Sequence, residues 1–182
     1  KGAAASMHME YFQQDVRRWI NLHHHYEPEQ ITWHMVLSMT DKHPGLKAIF
    51  WFRLGSWLRE RGLRLTWTIQ KHIFYKYGLE IAVGSDIQGG LYIPHPSGSQ
   101  VFPNRIGTNC SIIANVTIGM RNENQFPVLG NHVFVGAGAR VLGGITVGDN
   151  VKIGANAVVI ADVPPHTSVG GVPAKIIRTL AV

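Results

Sequence analysis

The chain has 182 residues, a single cysteine and a formal charge of +6, from 17 Lys and Arg against 11 Asp and Glu. That length supports one domain with a real core, the lone Cys110 excludes an internal disulfide, and no apolar run approaches the ~18 residues of a membrane span. The positive balance favours anionic partners, but zinc-finger spacing, helix-turn-helix and aromatic RNA-binding signatures are missing, so a cytoplasmic protein that binds no nucleic acid is expected.

Lys1 to Ser6 (KGAAAS), ahead of Met7, resembles the remnant of an expression tag, and residues 1–8 are set aside. Residues 9–78 form an N-terminal helical region. The stretch MEYFQQDVRRWINL predicts a helix, with Phe12, Val16, Trp19 and Ile20 on one face. It ends near His23-His24-His25, whose consecutive side chains do not share a face and so suit no shared metal. A second helix is predicted over Glu29 to Met39, a third after His43-Pro44 up to Gly62, and a fourth from Leu63 to Tyr77, ended by Gly78.

Between Gly45 and Gly78 stand seven basic residues (Lys47, Arg53, Arg59, Arg61, Arg64, Lys71, Lys76) against one acid, Glu60, interleaved with Phe50, Trp51, Phe52, Trp57, Trp67, Phe74, Tyr75 and Tyr77. Helices of that composition suit peripheral contact with an anionic surface such as the inner membrane. The plainer reading is a helical cap on the open end of the domain that follows, and the two are compatible.

From about residue 79 the pattern changes. Aliphatic residues recur every six positions at Val135, Val141, Val147, Ile153 and Val159, with a smaller residue four later at Ala139, Ile145, Val151, Ala157 and Val163. The same phase holds at Ile81, Ile87, Ile93 and at Ile106, Ile112, Ile118. Neither a helix nor a half-exposed strand has this period. It predicts a parallel β-helix over 79–165, three six-residue strand-and-corner units closing each coil. Cys110 falls on the small inward position and reads as a buried thiol. Residues 166–182 read as a C-terminal tail.

Two breaks in the count mark loops that must bulge outward: the thirteen residues from Ile93 to Ile106, and MRNENQFPV after Ile118. The first loop carries IPHPSG, with His95 at a corner between two prolines. An imidazole there is suited to taking and returning a proton near neutral pH. Glu80, fifteen residues earlier, falls on the neighbouring coil and within reach to orient the ring; Asp86 is a competing partner. His95, His132 and His166 lack the close pair that a shared metal needs, so no metal is expected.

The segments GLEIAVGSDIQGGLYIPHPSG, IGTNCSIIANVTIG and VFVGAGARVLGGITVGDNVKIGANAVVIADVPPHTSVGGVPAKII, with KHPGLKAIFWFRLGSWL upstream, resemble the hexapeptide-repeat acyltransferases of the serine acetyltransferase-like branch over about residues 40–178. The resemblance implies a mainly β fold, a left-handed parallel β-helix with an N-terminal α-helical cap. It further implies a homotrimer with acetyl-CoA lying between neighbouring prisms. His95 would be the general base and Glu80 its orienting carboxylate. Gly119, Met120, Ala137 and Ala155 would line the pantetheine arm, and Lys152, Lys175 and Arg178 would meet the nucleotide phosphates.

Two departures from that family bear on the acceptor. Pro94 stands where serine acetyltransferases have an aspartate before the histidine, and Gln125-Phe126 replaces the Arg-His pair that holds the substrate carboxylate. A carboxylate without its cation loses on the order of 3 kcal/mol. The sequence therefore predicts a saccharide acceptor instead, with Asn122, Asn124, Gln125 and Phe126 meeting the sugar, as in O-acetyltransferases of capsular or exopolysaccharide synthesis. The alternatives are a serine O-acetyltransferase and a non-catalytic trimeric scaffold.

Overall fold

A computed structural model describes residues 3–22, 30–122 and 124–180; the histidines at 23–25 lie outside the described residues. Among the described residues four α-helices come first: α1 (Ala3–Asn21), α2 (Trp33–Lys42), α3 (Pro44–Glu60) and α4 (Thr66–Tyr77). Helix α1 starts earlier than the amphipathic stretch required, inside the segment read as a tag remnant, and buries Phe12, Val16, Trp19 and Ile20 as that stretch predicted. Caps set the other boundaries. Thr32 Oγ1 accepts the Met35 N–H at 3.4 Å and opens α2. Pro44 stands in the first turn of α3, and Gly78, left-handed at φ 65°, closes α4 by donating to the Phe74 carbonyl.

Among the described residues, fourteen strands then wind into a three-faced parallel β-solenoid of about five coils. The first face stacks β1 (Leu79–Ile81), β3 (Ser99–Val101), β6 (Thr117–Gly119), β9 (Arg140–Leu142) and β12 (Val158–Val159). The second stacks β2 (Asp86–Ile87), β4 (Arg105–Ile106), β7 (Val128–Leu129) and β10 (Thr146–Val147). The third holds β5 (Ser111–Ile112), β8 (Phe134–Val135), β11 (Lys152–Ile153), β13 (Thr167–Gly171) and β14 (Ala174–Thr179). Every pairing is parallel except β13 with β14. The C-terminal segment is thus no loose tail: β13 belongs to the third face and β14 folds back along it.

The six-residue period has the predicted cause. Ile81, Val101, Ile118, Val141 and Val159 are in register down the first face, and Ile112, Val135, Ile153 and Val169 down the third, each at most 2% exposed. Each such burial is worth roughly 1.5–3 kcal/mol. Cys110 is fully buried among them, and burial pushes its thiol up to about 11. The first break in the count resolves into two: Val101 comes eight residues after Ile93, two more than the repeat needs, and Ile106 only five after Val101. The second is a true insertion, since Leu129 follows Ile118 by eleven residues.

The first coil has no coil above it, so its outermost backbone groups need other partners. The helices supply them. Arg53, 2% exposed, donates to the carbonyls of Ile87 and Gln88 and binds Asp15, itself fully buried, through Nε at 2.9 Å. Asp15 Oδ1 in turn accepts the Leu91 N–H at 2.7 Å. Burial pushes the Asp15 carboxyl up, against the opposing pull of the Arg53 guanidinium and the Leu91 and Gly90 N–H groups. Arg59 donates to the Val83 carbonyl, Ser56 accepts the Gly84 N–H, and Arg18 of α1 donates to the carbonyls of Gly90 and Cys110. Helix α3 lies so close that a Cβ on Gly45 would stand 1.9 Å from the Ile93 carbonyl oxygen, which only glycine allows. The cap reading of these helices holds, and two of the seven basic residues counted from Gly45 to Gly78, the buried Arg53 and the exposed Arg59, donate to first-coil carbonyls to serve it.

Candidate active site

The edge where the third face turns into the first carries the elements of a site. There His95 bridges to Ala114 on the next coil, the Gly138 N–H donates to the Ala114 carbonyl at 2.8 Å, and the Asn156 N–H donates to the Ala137 carbonyl at 2.8 Å. Asn115 and Asn156 take left-handed backbone at φ 49° and 57° to make the corners. The result is a column with His95 at its head and the small residues Ala114, Ala137 and Ala155 beneath it, coil by coil. His95 is exposed, and it is the only histidine on this edge among the described residues. His132 and His166 occupy the edge between the second and third faces, each in left-handed backbone.

Glu80 lies on β1, in register with Gln100 of β3, and the Gly98 N–H to Gly78 carbonyl bond at 2.9 Å docks the His95 loop against the start of that strand. The two residues therefore flank one edge on adjacent coils. The half-buried Glu80 carboxylate accepts from Gln100 Nε2 at 3.2 Å; among the described residues the His95 ring makes no hydrogen bond to it. Gln100 was not foreseen, because contact between coils depends on a register that the spacing of Glu80 and His95 alone does not reveal. Asp86 is on the second face, bound by Gln88 and, at 3.6 Å, by Arg105, and so is engaged elsewhere.

Gly119 ends β6, and a Cβ placed on it would meet no atom within 4 Å. Its φ is not positive either. The residue is buried, yet neither crowding beyond its chain neighbours nor backbone conformation calls for glycine there. Met120, 54% exposed, follows it. On the third face the outward row runs Phe134, Lys152, Ser168, Arg178 in register, while Lys175 pairs with Gly170 further along the hairpin. Lys152 and Arg178 line a cleft of about 630 Å³ together with His132, Asn150 and His166. Behind it the Asp149 carboxyl is held below its usual range, first by the Asn131 backbone N–H and less by the charges of His132 and His166. Sequence reading weighed these two histidines only as metal ligands and did not place them at this cleft.

The inserted loop sits over a smaller cleft of about 290 Å³ lined by Arg121, Asn122, Gln125, Gly143 and Gly144, with Leu142 and the isoleucines 145 and 160. Asn124 is exposed and Phe126 half-buried, and neither lines it. Arg121 was not among the expected site residues. Among the described residues no three His, Cys, Asp or Glu side chains converge as a metal site would need.

A stacked-coil prism with a histidine at the head of a column of small residues defines a hexapeptide-repeat acyltransferase, and the family model "Bacterial transferase hexapeptide (six repeats)" matches residues 126–161. The serine acetyltransferase of Helicobacter pylori strain 26695 is 39% identical over 140 residues, 74% of this chain and 82% of that protein. That of Synechococcus elongatus is 36% identical over 140 residues, and there the chain spans only 57% of the relative's length. Among solved structures, Neisseria gonorrhoeae serine acetyltransferase (CysE) in complex with serine superposes with a TM-score of 0.80 at 29% identity, covering 94% of this chain and 69% of that one. Soybean serine acetyltransferase complexed with serine gives 0.80 at 27% identity, covering 94% and 70%. The chain belongs to the serine acetyltransferase family.

These relatives overturn the saccharide acceptor expected from Pro94 and Gln125-Phe126. They are serine acetyltransferases, two of them solved with serine, and the likeness extends through the whole solenoid and the helical cap. The expected assignment of this chain to polysaccharide synthesis falls with it.

Proposed function

We propose that the chain transfers an acetyl group from acetyl-CoA to the side-chain hydroxyl of L-serine, working in the cytoplasm as a homotrimer with the thioester threaded along the groove between prisms. The observation that carries this reading is the edge column, with His95 above Ala114, Ala137 and Ala155. Its small side chains leave room for a thin pantetheine arm. Gly119 and Met120 flank the arm, and Lys152, Lys175 and Arg178 meet the phosphates at its far end. His95 takes the hydroxyl proton as the serine oxygen attacks the thioester carbonyl, then returns that proton to the departing thiolate, so no covalent enzyme intermediate is needed. Glu80, on the adjacent coil and held by Gln100 in the free protein, would turn to the ring on substrate binding, orienting it and supporting the imidazolium.

Without the Arg-His pair, the acceptor carboxylate needs another cation, and Arg121, in the cleft with Asn122 and Gln125 on the edge between the first and second faces, would reach the His95 groove from the neighbouring prism of the trimer. The test is free-thiol release from acetyl-CoA with L-serine beside D-serine, L-threonine and L-homoserine. L-Serine is expected to support turnover, and His95→Ala to abolish it while leaving the solenoid folded. Thiol release with another acceptor alone would overturn the serine assignment. Release with none, and no CoA binding, would leave the scaffold reading.

A further inference from the structure

Helix α4 has two apolar faces. Ile69 and Ile73 are buried against the rest of the cap. About 180° around the helix axis, at ~100° per residue, Trp67, Lys71, Phe74 and Tyr75 form an outward stripe, with Trp67 66%, Phe74 47% and Tyr75 79% exposed. The turn before the helix adds Leu63 and Leu65, each 49% exposed. Surface helices ordinarily turn charged and polar side chains outward, so this second face calls for an occupant.

Its charge says which. Of the basic residues from Gly45 to Gly78, Arg53 and Arg59 are spent on the first coil's carbonyls and Lys47 pairs with Asp41 at 2.6 Å. Arg61, Arg64, Lys71 and Lys76 remain exposed on the outer end of the molecule. No acidic residue lies between Arg61 and Leu79, and Glu60, just before, is bound by His8 at 2.8 Å. Two of the cations sit against aromatic rings, Arg61 at 4.0 Å from the Trp57 centroid and Lys71 at 5.0 Å from that of Trp67. A second copy of this surface would bring like charges together. Exposed lysine is also depleted at protein–protein interfaces.

The geometry points to an anionic lipid bilayer as the partner. Trp67, Phe74 and Tyr75 would enter the headgroup layer while Arg61, Arg64 and Lys71 meet lipid phosphates, giving peripheral contact and no insertion. No helix among the described residues is long and apolar enough to cross a membrane.

The test is co-sedimentation of the full chain with vesicles of phosphatidylcholine alone and of phosphatidylcholine with phosphatidylglycerol in a two-to-one mixture, at low and high salt. Binding is expected only to the anionic vesicles and is expected to fade as salt rises. Neutralising Arg64 or Lys71 to Gln should each lower the partition coefficient about fivefold, and Trp67→Ser with Phe74→Ser should abolish retention while acetyl transfer persists. Equal binding to neutral vesicles, no binding to either, or unchanged binding of the variants would overturn the proposal. So would acrylamide quenching, compared between the wild type and Trp67→Phe, that finds Trp67 shielded in the lipid-free protein, because another copy would then cover the stripe.

Discussion

Asp15 and Arg53 are the residues on which the junction of helices and solenoid turns. Each answers the other's charge, and between them they satisfy the Ile87, Gln88 and Leu91 backbone groups that the first coil leaves open. Asp15→Asn keeps the shape but leaves a buried guanidinium without its counter-charge, so chemical denaturation should show a loss of roughly 3–5 kcal/mol. Arg121 belongs to the same scale but to function. If it receives the serine carboxylate, Arg121→Gln should raise the KM for serine about tenfold, the worth of one charged hydrogen bond, with kcat little changed. Steady-state kinetics at saturating acetyl-CoA would read that split. Individual residues were also where the sequence misled. Pro94 and Gln125-Phe126 are local departures, and weighing them alone gave the wrong acceptor class; kinship spread over 140 aligned residues outweighs three positions.

At the scale of elements, the strands were legible and the helices less so. A six-residue period is enforced at every turn by an inward aliphatic, so Val135, Val141, Val147, Ile153 and Val159 announced three faces before any coordinates. Helix starts depend instead on single caps such as Thr32, and the periodic apolar run over Glu29 to Met39 gave no sign of where that cap would act. The role of the basic residues was also hidden. Arg53 and Arg64 look alike in sequence, yet one is sealed under the cap and the other faces outward, because only the packing of α3 on the first coil decides which. For β6 the consequence is testable. Gly119→Ala should raise the KM for acetyl-CoA severalfold by narrowing the groove, while stability changes by less than about 0.5 kcal/mol because the added Cβ meets no atom within 4 Å beyond its chain neighbours. A large loss of stability would show that the glycine serves folding.

For the whole molecule, the terminal hairpin exposes Val172 at 74%, Ile176 at 55% and Ile177 at 69%, and Phe134 on the same face is 40% exposed. Apolar groups beside the cleft lined by Lys152 and Arg178 fit burial between neighbouring prisms. Sedimentation equilibrium should therefore return three times the 20.2 kDa chain mass, and a lone 20.2 kDa species would remove the groove on which the proposed transfer depends.

The reversal of β14 against β13 has one more effect. A stack of parallel rungs invites a further chain to add its own rung, which is how fibrils grow. On the third face the final rung runs backwards and carries Lys175 and Arg178, offering an incoming chain the wrong polarity and like charges. That short return of the chain lets a ladder of this kind stop at five steps.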